Sequence, residues 1–131
     1  MSSTDKGGAI STFGEDFTYD GSELKTIFNY KTFGVTMDDA IKYFKLPFPS
    51  YLKIDVDGIE HLILKGGLSV LEKAKEVLIE VDDKFETQTN QVKEYLEKSG
   101  LKLSSKIELK MIQRDSTDKQ VCNQVWKREI K

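Results

Sequence analysis

Residues 51–60 read Tyr-Leu-Lys-Ile-Asp-Val-Asp-Gly-Ile-Glu, and this stretch decides the predicted fold. Its first part is an apolar-rich run typical of a buried strand, and Gly58 is predicted to let the chain leave that strand. Downstream, Ile59, Leu62 and Ile63 recur at the spacing of one helix face. The stretch therefore predicts a strand, a glycine turn and a helix in direct succession.

Three carboxylates, those of Asp55, Asp57 and Glu60, gather where this strand passes into the helix. In open α/β sheets, ligands bind at that end of a strand. Side chains alternate between the faces of a strand, so Lys53, Asp55 and Asp57 are predicted to share one face. Paired carboxylates in a partly dry site favour proton uptake by one of them, which would suit it to deprotonate a substrate hydroxyl.

Each of these acids also has a structural interpretation. Glu60 lies near a predicted helix N-terminus, where the unpaired N–H groups and the helix dipole stabilise a carboxylate. Asp57 and Gly58 form an ordinary turn pair, and Asp55 could be held by Lys53 or by a backbone amide. The residues alone leave both interpretations open.

Helices and strands are predicted to alternate along the rest of the chain. Capping patterns indicate one helix that begins after Thr36 and another after Gly66-Gly67, capped by Ser69 with Glu72. An apolar run predicts a strand over 77–81. A third helix is marked by the spacing of Val92, Tyr95 and Leu96, and it is predicted to end at Gly100. The second strand is predicted to lie parallel to the first, because a helical connection of about twenty residues is the usual crossover of a βαβ unit.

An antiparallel hairpin is predicted to close the chain. Its first arm runs from Leu101 to Met111, its polar turn spans 114–119 and its second arm spans 121–130. Residues 1–34 are rich in Ser, Thr, Gly and Asp, and they lack a clear period. We therefore predict an irregular N-terminal segment over 1–34 and one α/β domain over 35–131.

Composition narrows the class of protein. The chain has 131 residues, with 20 basic and 22 acidic side chains interleaved to a net charge of −2, so no basic surface for nucleic acid is expected. Cys122 is the single cysteine and cannot form an internal disulfide. No apolar run has the length of a membrane span, and we expect no membrane partner and a cytoplasmic location.

The stretch over 51–60, extended through His61-Leu-Ile-Leu-Lys-Gly-Gly67, resembles the signature of the FkbM family of methyltransferases. That signature runs Lys-Ile-Asp-Val-Glu-Gly-Ala-Glu and then Val-Leu-Lys-Gly. Asp57 stands where the family usually has Glu, and Ile59 stands where it usually has Ala. The likeness continues in Glu76-Val-Leu-Ile-Glu-Val81 and Asn123-Gln-Val-Trp-Lys-Arg128, which resemble the family's next strand and its closing strand.

The resemblance implies the C-terminal half of a Rossmann-like class I methyltransferase sheet, beginning at about Thr36. A family member would open with a strand, a glycine-rich turn that approaches the cofactor, and a second strand that ends in an acid. Nothing before Val35 has the length or pattern of these elements, and neither Gly7-Gly8 nor Gly66-Gly67 follows an N-terminal strand. We therefore expect a partial sheet without the main cofactor cradle.

The activity that the resemblance implies is methyl transfer from S-adenosylmethionine to a hydroxyl of a sugar or another small metabolite. The sulfonium is an activated donor, so the protein mainly positions the acceptor and removes its proton. By resemblance, Asp55 and Asp57 belong to the cofactor and acceptor region, with Asp55 as the cofactor contact. Glu60, in the first helical turn, completes the set of catalytic candidates.

A second hypothesis belongs to a different class of function. A partial sheet would leave a strand edge uncovered, and unpaired backbone groups beside apolar side chains favour self-association. The chain would then be a binding or assembly module without catalysis, forming a homodimer through that edge.

The remaining reactive side chains are assigned to structure. His61 is predicted to lie on the solvated side of its helix, and Cys122 is predicted to pack within a strand. Glu80 interrupts an apolar strand, which indicates either a solvent-facing edge position or a buried acid with a partner. The Asp55-x-Asp57-Gly58 pattern lacks the further oxygen ligands of a calcium loop, whose last ligand position would be Gly66, so we predict no metal site.

Overall fold

A four-stranded mixed sheet with four helices makes up the described part of the chain. The computed structural model describes residues 31–56, 58–83, 85–108 and 121–129. The elements, in chain order, are α1 Met37–Phe44, β1 Tyr51–Ile54, α2 Glu60–Lys65, α3 Leu68–Lys73, β2 Glu76–Asp82, α4 Glu86–Lys98, β3 Leu101–Glu108 and β4 Val121–Arg128. The α/β class predicted from the sequence is confirmed.

The sheet has the strand order β1-β2-β4-β3. β1 and β2 are parallel, with Ile54 opposite Ile79, and α2 and α3 form the connection between them, as predicted. β3 and β4 are antiparallel, which confirms the predicted C-terminal pairing. β4 also pairs antiparallel with β2 and so lies between β2 and β3.

One face of the sheet forms the hydrophobic core. Along β2, Val77, Ile79 and Val81 are buried, whereas the residues between them are half-buried. This alternation follows from the period of two in a strand, and it turns one row of side chains towards the helices. The same core also contains Leu64 of α2, Leu71 of α3, Val92 and Leu96 of α4, and Trp126 of β4.

Two predicted helix starts have different outcomes. α1 begins as predicted, since the Thr36 hydroxyl accepts a hydrogen bond from the Asp39 N–H at 3.1 Å. The predicted cap at Ser69 is wrong, because α3 begins at Leu68 and Ser69 lies within it. The carboxylate of Asp38 in α1 instead accepts hydrogen bonds from the N–H groups of Ser69 and Val70, each at 3.1 Å. A cap from another helix has no local sequence signal.

The predicted chain break at Gly66-Gly67 is confirmed between α2 and α3. A β-carbon at Gly67 would collide with the side chain of Met37, so the glycine allows α1 to approach this junction closely. The Asp38 N–H donates to the Gly66 carbonyl at 3.1 Å, which adds a backbone contact at the same place. The junction therefore fixes α1 against the crossover.

At the opposite end of the sheet from the turn after β1, Arg128 joins several elements. Its guanidinium donates hydrogen bonds to the carbonyls of Leu71, Ala74 and Ser99, at 2.8, 3.0 and 2.8 Å. These carbonyls lie in or just after the last turns of α3 and α4, where helices leave carbonyls unpaired. The predicted stop at Gly100 is confirmed, since Gly100 follows α4 with a φ of 81°.

Several predictions fall outside the described residues. They concern the irregular segment up to residue 30, the polar turn over 114–119, the end of the first hairpin arm beyond Glu108, and Asp57. The domain division at residue 34 stays a prediction. Residues 31–36 precede α1 and belong to no helix or strand.

Candidate functional site

The turn that leaves β1 brings the candidate residues to the carboxyl end of the parallel strands. Gly58 is buried, has a φ of 90° and donates its N–H to the Val56 carbonyl at 3.0 Å. A residue with a β-carbon is strained at such a φ, so glycine suits this reversal. The chain then enters α2 at Glu60, and the predicted succession of strand, glycine turn and helix is confirmed.

Asp55 lies at the exposed rim of this turn. Its carboxylate forms an ion pair with Lys53 at 2.7 Å, and 47% of its side chain remains accessible to solvent. The hydrogen bond and the charge of Asp55 raise the pKa of Lys53, with a smaller contribution from the charge of Glu80. The pairing that the sequence left open is therefore present, and Asp55 still has accessible surface for a ligand.

The predicted alternation of faces along β1 is confirmed in its described part. Lys53 is exposed, Leu52 is half-buried and Ile54 is buried. Because Asp57 lies outside the described residues, its predicted position beside Asp55 stays a prediction.

Glu60 is buried at the first position of α2, with 4% of its surface exposed. One carboxylate oxygen accepts a hydrogen bond from the Gly58 N–H at 3.4 Å. The other accepts a close hydrogen bond from the side-chain amide of Gln88 in α4. Glu60 thus connects the turn after β1 to a helix that begins 26 positions further along the chain.

Gln88 is the site residue that the sequence analysis missed. It is 2% exposed and lies on the stripe of α4 that continues through the buried residues Val92 and Leu96. A polar side chain at a core position of an amphipathic helix needs a buried partner, because an unpaired amide there would be costly. That interruption of the apolar stripe was the available signal, and it did not identify Glu60 as the partner.

The carboxyl end of β2 lies beside the carboxyl end of β1. The Asp82 carbonyl accepts a hydrogen bond from the Thr89 hydroxyl of α4 at 3.1 Å. Asp83 forms an ion pair with Lys106 of β3, beside the buried thiol of Cys122. Burial, followed by the charge of Asp83, raises the pKa of Cys122 above its ordinary value of 9.0, so the group remains a neutral thiol. Its predicted packing role is consistent with this environment.

Two other predictions concern titratable side chains near the site. His61 is half-buried in α2 rather than fully solvated. Glu80 lies in the middle of β2, which is an inner strand, so it is not at a sheet edge. It is half-buried, and its charge acts on Lys53 across the β1–β2 pair.

The fold and the turn motif agree with a family of known chemistry. The model of the methyltransferase FkbM domain matches residues 3–103 of the chain, which include Asp55, Glu60 and Gln88. The chain belongs to the FkbM methyltransferase family. The match begins at residue 3, well before Thr36, where the resemblance was predicted to start, and so covers most of the segment predicted to be irregular. It ends in β3, so the likeness of β4 to the family's closing strand lies beyond the match. No curated protein and no solved structure matches the chain.

Among the described residues, no helix is both long and apolar enough to cross a membrane.

Proposed function

We propose that the chain is part of an S-adenosylmethionine-dependent methyltransferase that acts on a hydroxyl of a sugar or another small metabolite. The observation that carries this proposal is the family match, which contains the turn from Asp55 to Glu60. The proposal also gives the sheet a Rossmann-like assignment. This assignment is supported by the parallel β1–β2 pair and its helical connection, because such units bind ligands beyond the carboxyl ends of their strands.

The described residues fit the cofactor in part. The accessible carboxylate of Asp55 can accept hydrogen bonds from a ligand hydroxyl or ammonium group, and the partly exposed side chain of Val56 beside it offers an apolar contact. A second glycine-rich turn after a strand is absent from the part of the chain that the structure describes. The described residues therefore fit only the rim of a cofactor site. They do not include a glycine-rich turn that could hold the adenosine.

Bound S-adenosylmethionine would supply an activated methyl group. The chain's own contribution would be to orient the acceptor and to receive its proton, which is the role proposed for the Asp55 carboxylate. Lys53 forms an exposed ion pair with that carboxylate. Asp57 would add a second carboxylate at the same turn, as the resemblance implies.

The test is a calorimetric titration of the folded chain with S-adenosylhomocysteine. We expect binding by the natural sequence and about tenfold weaker binding by Asp55→Asn, because the amide is neutral and accepts fewer hydrogen bonds. Asp39→Asn is the matched control, since it makes the same chemical change in the first turn of α1. Equal affinities for Asp55→Asn and Asp39→Asn would contradict the role of Asp55, and no binding to the folded chain would contradict its having a cofactor site of its own.

A second candidate function is self-association, and one specific observation favours it. Large apolar side chains are exposed in and around α1 and β1, namely Phe33, Tyr43, Phe44, Leu46, Phe48 and Tyr51. β1 is also an edge strand of the described sheet. Apolar side chains beside a strand edge favour pairing with a second chain. We therefore propose a homodimer through this edge as the alternative to independent catalysis.

Light scattering over a range of concentrations tests the dimer. We expect Tyr43→Ser with Phe44→Ser to weaken association, whereas Leu103→Ser, at an exposed apolar position on the other edge strand, leaves it unchanged. A natural chain that stays monomeric at high concentration would contradict this proposal.

A further inference from the structure

We infer that Gln88 is a positioning residue, which fixes the turn from Asp55 to Gly58 by holding the carboxylate of Glu60. In this assignment Glu60 is a structural bridge and does not take up the acceptor's proton. The inference rests on the proposed function only for its consequence on ligand binding, because the ordering of the turn can be measured without any ligand.

The burial of Glu60 carries the first step. A general base must lie within hydrogen-bond reach of the proton that it removes. Glu60 is 4% exposed, and each of its carboxylate oxygens already accepts a hydrogen bond, one from the Gly58 N–H and one from Gln88. Asp55 at the rim has the accessible carboxylate that Glu60 lacks.

The pairing of Glu60 with Gln88 carries the second step. A buried carboxylate is costly unless hydrogen bonds satisfy its oxygens, so loss of the Gln88 amide would favour movement of Glu60 towards water. Such a movement would also break the 3.4 Å bond from the Gly58 N–H to Glu60 and would leave the Val56 carbonyl as the acceptor of that N–H. Gly58 has a φ of 90° and lies three positions after Asp55, so a loosened turn at Gly58 would reach the segment that presents Asp55.

The neighbouring contact of α4 carries the third step. Thr89, the residue after Gln88, donates a hydrogen bond to the Asp82 carbonyl at the end of β2. Two consecutive residues of α4 therefore hold the exits of both parallel strands, Gln88 through Glu60 and Thr89 directly. The beginning of α4 sets the spacing of the two strand ends between which a ligand would bind.

The test measures amide hydrogen exchange at residues 55–60 in the folded chain. Gln88→Met keeps the length of the side chain but removes the donor, and we expect exchange at Gly58 to rise about tenfold. Gln91→Met is the matched control, because it makes the same change at a half-buried position of the same helix. Unchanged exchange at Gly58 in a folded Gln88→Met chain would overturn the inference.

An exchange of partners distinguishes positioning from a loss of general stability. Gln88→Glu alone places two carboxylates together, and Glu60→Gln alone removes one acceptor oxygen. The double variant can restore both contacts, since the amide at position 60 can accept from the Gly58 N–H and donate to the carboxylate at position 88. We expect its Gly58 exchange to return to within about threefold of the natural chain, and a double variant no better than Gln88→Glu would overturn the inference even if Gln88→Met does not fold.

Ligand binding gives the functional arm of the same experiment. If the natural chain binds S-adenosylhomocysteine, Gln88→Met should weaken binding several-fold and the double variant should restore it. If the natural chain does not bind it, the proposed function fails, while the exchange at Gly58 still decides whether Gln88 positions the turn.

Discussion

The guanidinium of Arg128 forms hydrogen bonds to three backbone carbonyls in the described part of the chain. It donates to carbonyls of Leu71, Ala74 and Ser99, and the Arg128 N–H donates to the Lys75 carbonyl at 2.9 Å. A cation near helix C-termini is also favoured by the helix dipoles. Arg128 therefore ties α3 and α4 to the last strand.

We expect Arg128→Met to lower the free energy of unfolding by about 2–4 kcal/mol, because three partly buried carbonyls lose a charged donor. Urea denaturation measures this change. Lys127→Met is the control, since Lys127 is exposed and pairs with Glu76 at 3.3 Å, a surface contact worth at most about 1 kcal/mol. Similar losses for the two variants would contradict the structural role of Arg128.

The thiol of Cys122 gives a prediction that depends on pH. Burial raises its pKa above 9.0, and the thiolate is the reactive form. We therefore expect iodoacetamide to modify the folded chain at pH 8 at least about tenfold more slowly than the chain unfolded in urea. Because the pKa is higher in the folded state, the free energy of unfolding should also fall as the pH rises above the unfolded value. Equal rates of modification in the two states would contradict this environment.

Local sequence could predict the residues that interact with near neighbours. Lys53 is one of two partners that the sequence allows for Asp55, because the two residues are two positions apart, and the positive φ of Gly58 agrees with the glycine exit predicted after the strand. The contact between Glu60 and Gln88 joins residues 28 positions apart, so it depends on how α4 packs against α2. No spacing rule specifies that contact, although the polar residue in an apolar stripe indicates that some partner exists.

At the scale of elements, α1 stabilises the start of α3. The carboxylate of Asp38 accepts from the N–H groups of Ser69 and Val70, which are otherwise unpaired groups of the first helical turn. We expect Asp38→Ala to lower the free energy of unfolding by about 1 kcal/mol, as loss of a helix cap does. Asp38→Asn should cost less, because the amide retains one acceptor oxygen.

The neighbouring acid provides the control for this prediction. Asp39→Ala removes a charge from the first turn of α1, while the Asp39 N–H can still donate to Thr36. Thermal unfolding of the three variants separates the effects. An Asp38→Ala loss no larger than that of Asp39→Ala would show that the contact between α1 and α3 contributes little.

Elements defined by their own residues could be predicted, whereas their arrangement could not. The Thr36 cap, the break at Gly66-Gly67 and the stop at Gly100 all follow from local chemistry, and all three are present. The position of β4 between β2 and β3 depends instead on pairing between strands that are distant in sequence. A hairpin pattern predicts that β3 and β4 pair, but it does not say which of them meets β2.

Across the whole molecule, the parallel strands β1 and β2 position the candidate site, whereas the antiparallel strand β4 carries the contacts of Arg128. β1, β2 and their connecting helices bring Asp55 and the Glu60–Gln88 bridge to one edge of the sheet. β4 pairs with β2 on the side away from β1. Arg128, the last residue of β4, bonds to the helices at the other end of the strands. The candidate site and the contacts of Arg128 therefore lie at opposite ends of the strands, so each can be changed separately.

The most direct test of the proposed site is a titration of the ¹⁵N-labelled natural chain with S-adenosylhomocysteine, followed by NMR. The proposed function predicts chemical-shift changes concentrated at residues 55–60 and 82–89, where β1 and β2 end, with little change in α3 or at Arg128. Binding that shifts α3 and Arg128 and leaves the turn at Gly58 unchanged, or the absence of binding to the folded chain, would contradict a cofactor site at this edge of the sheet.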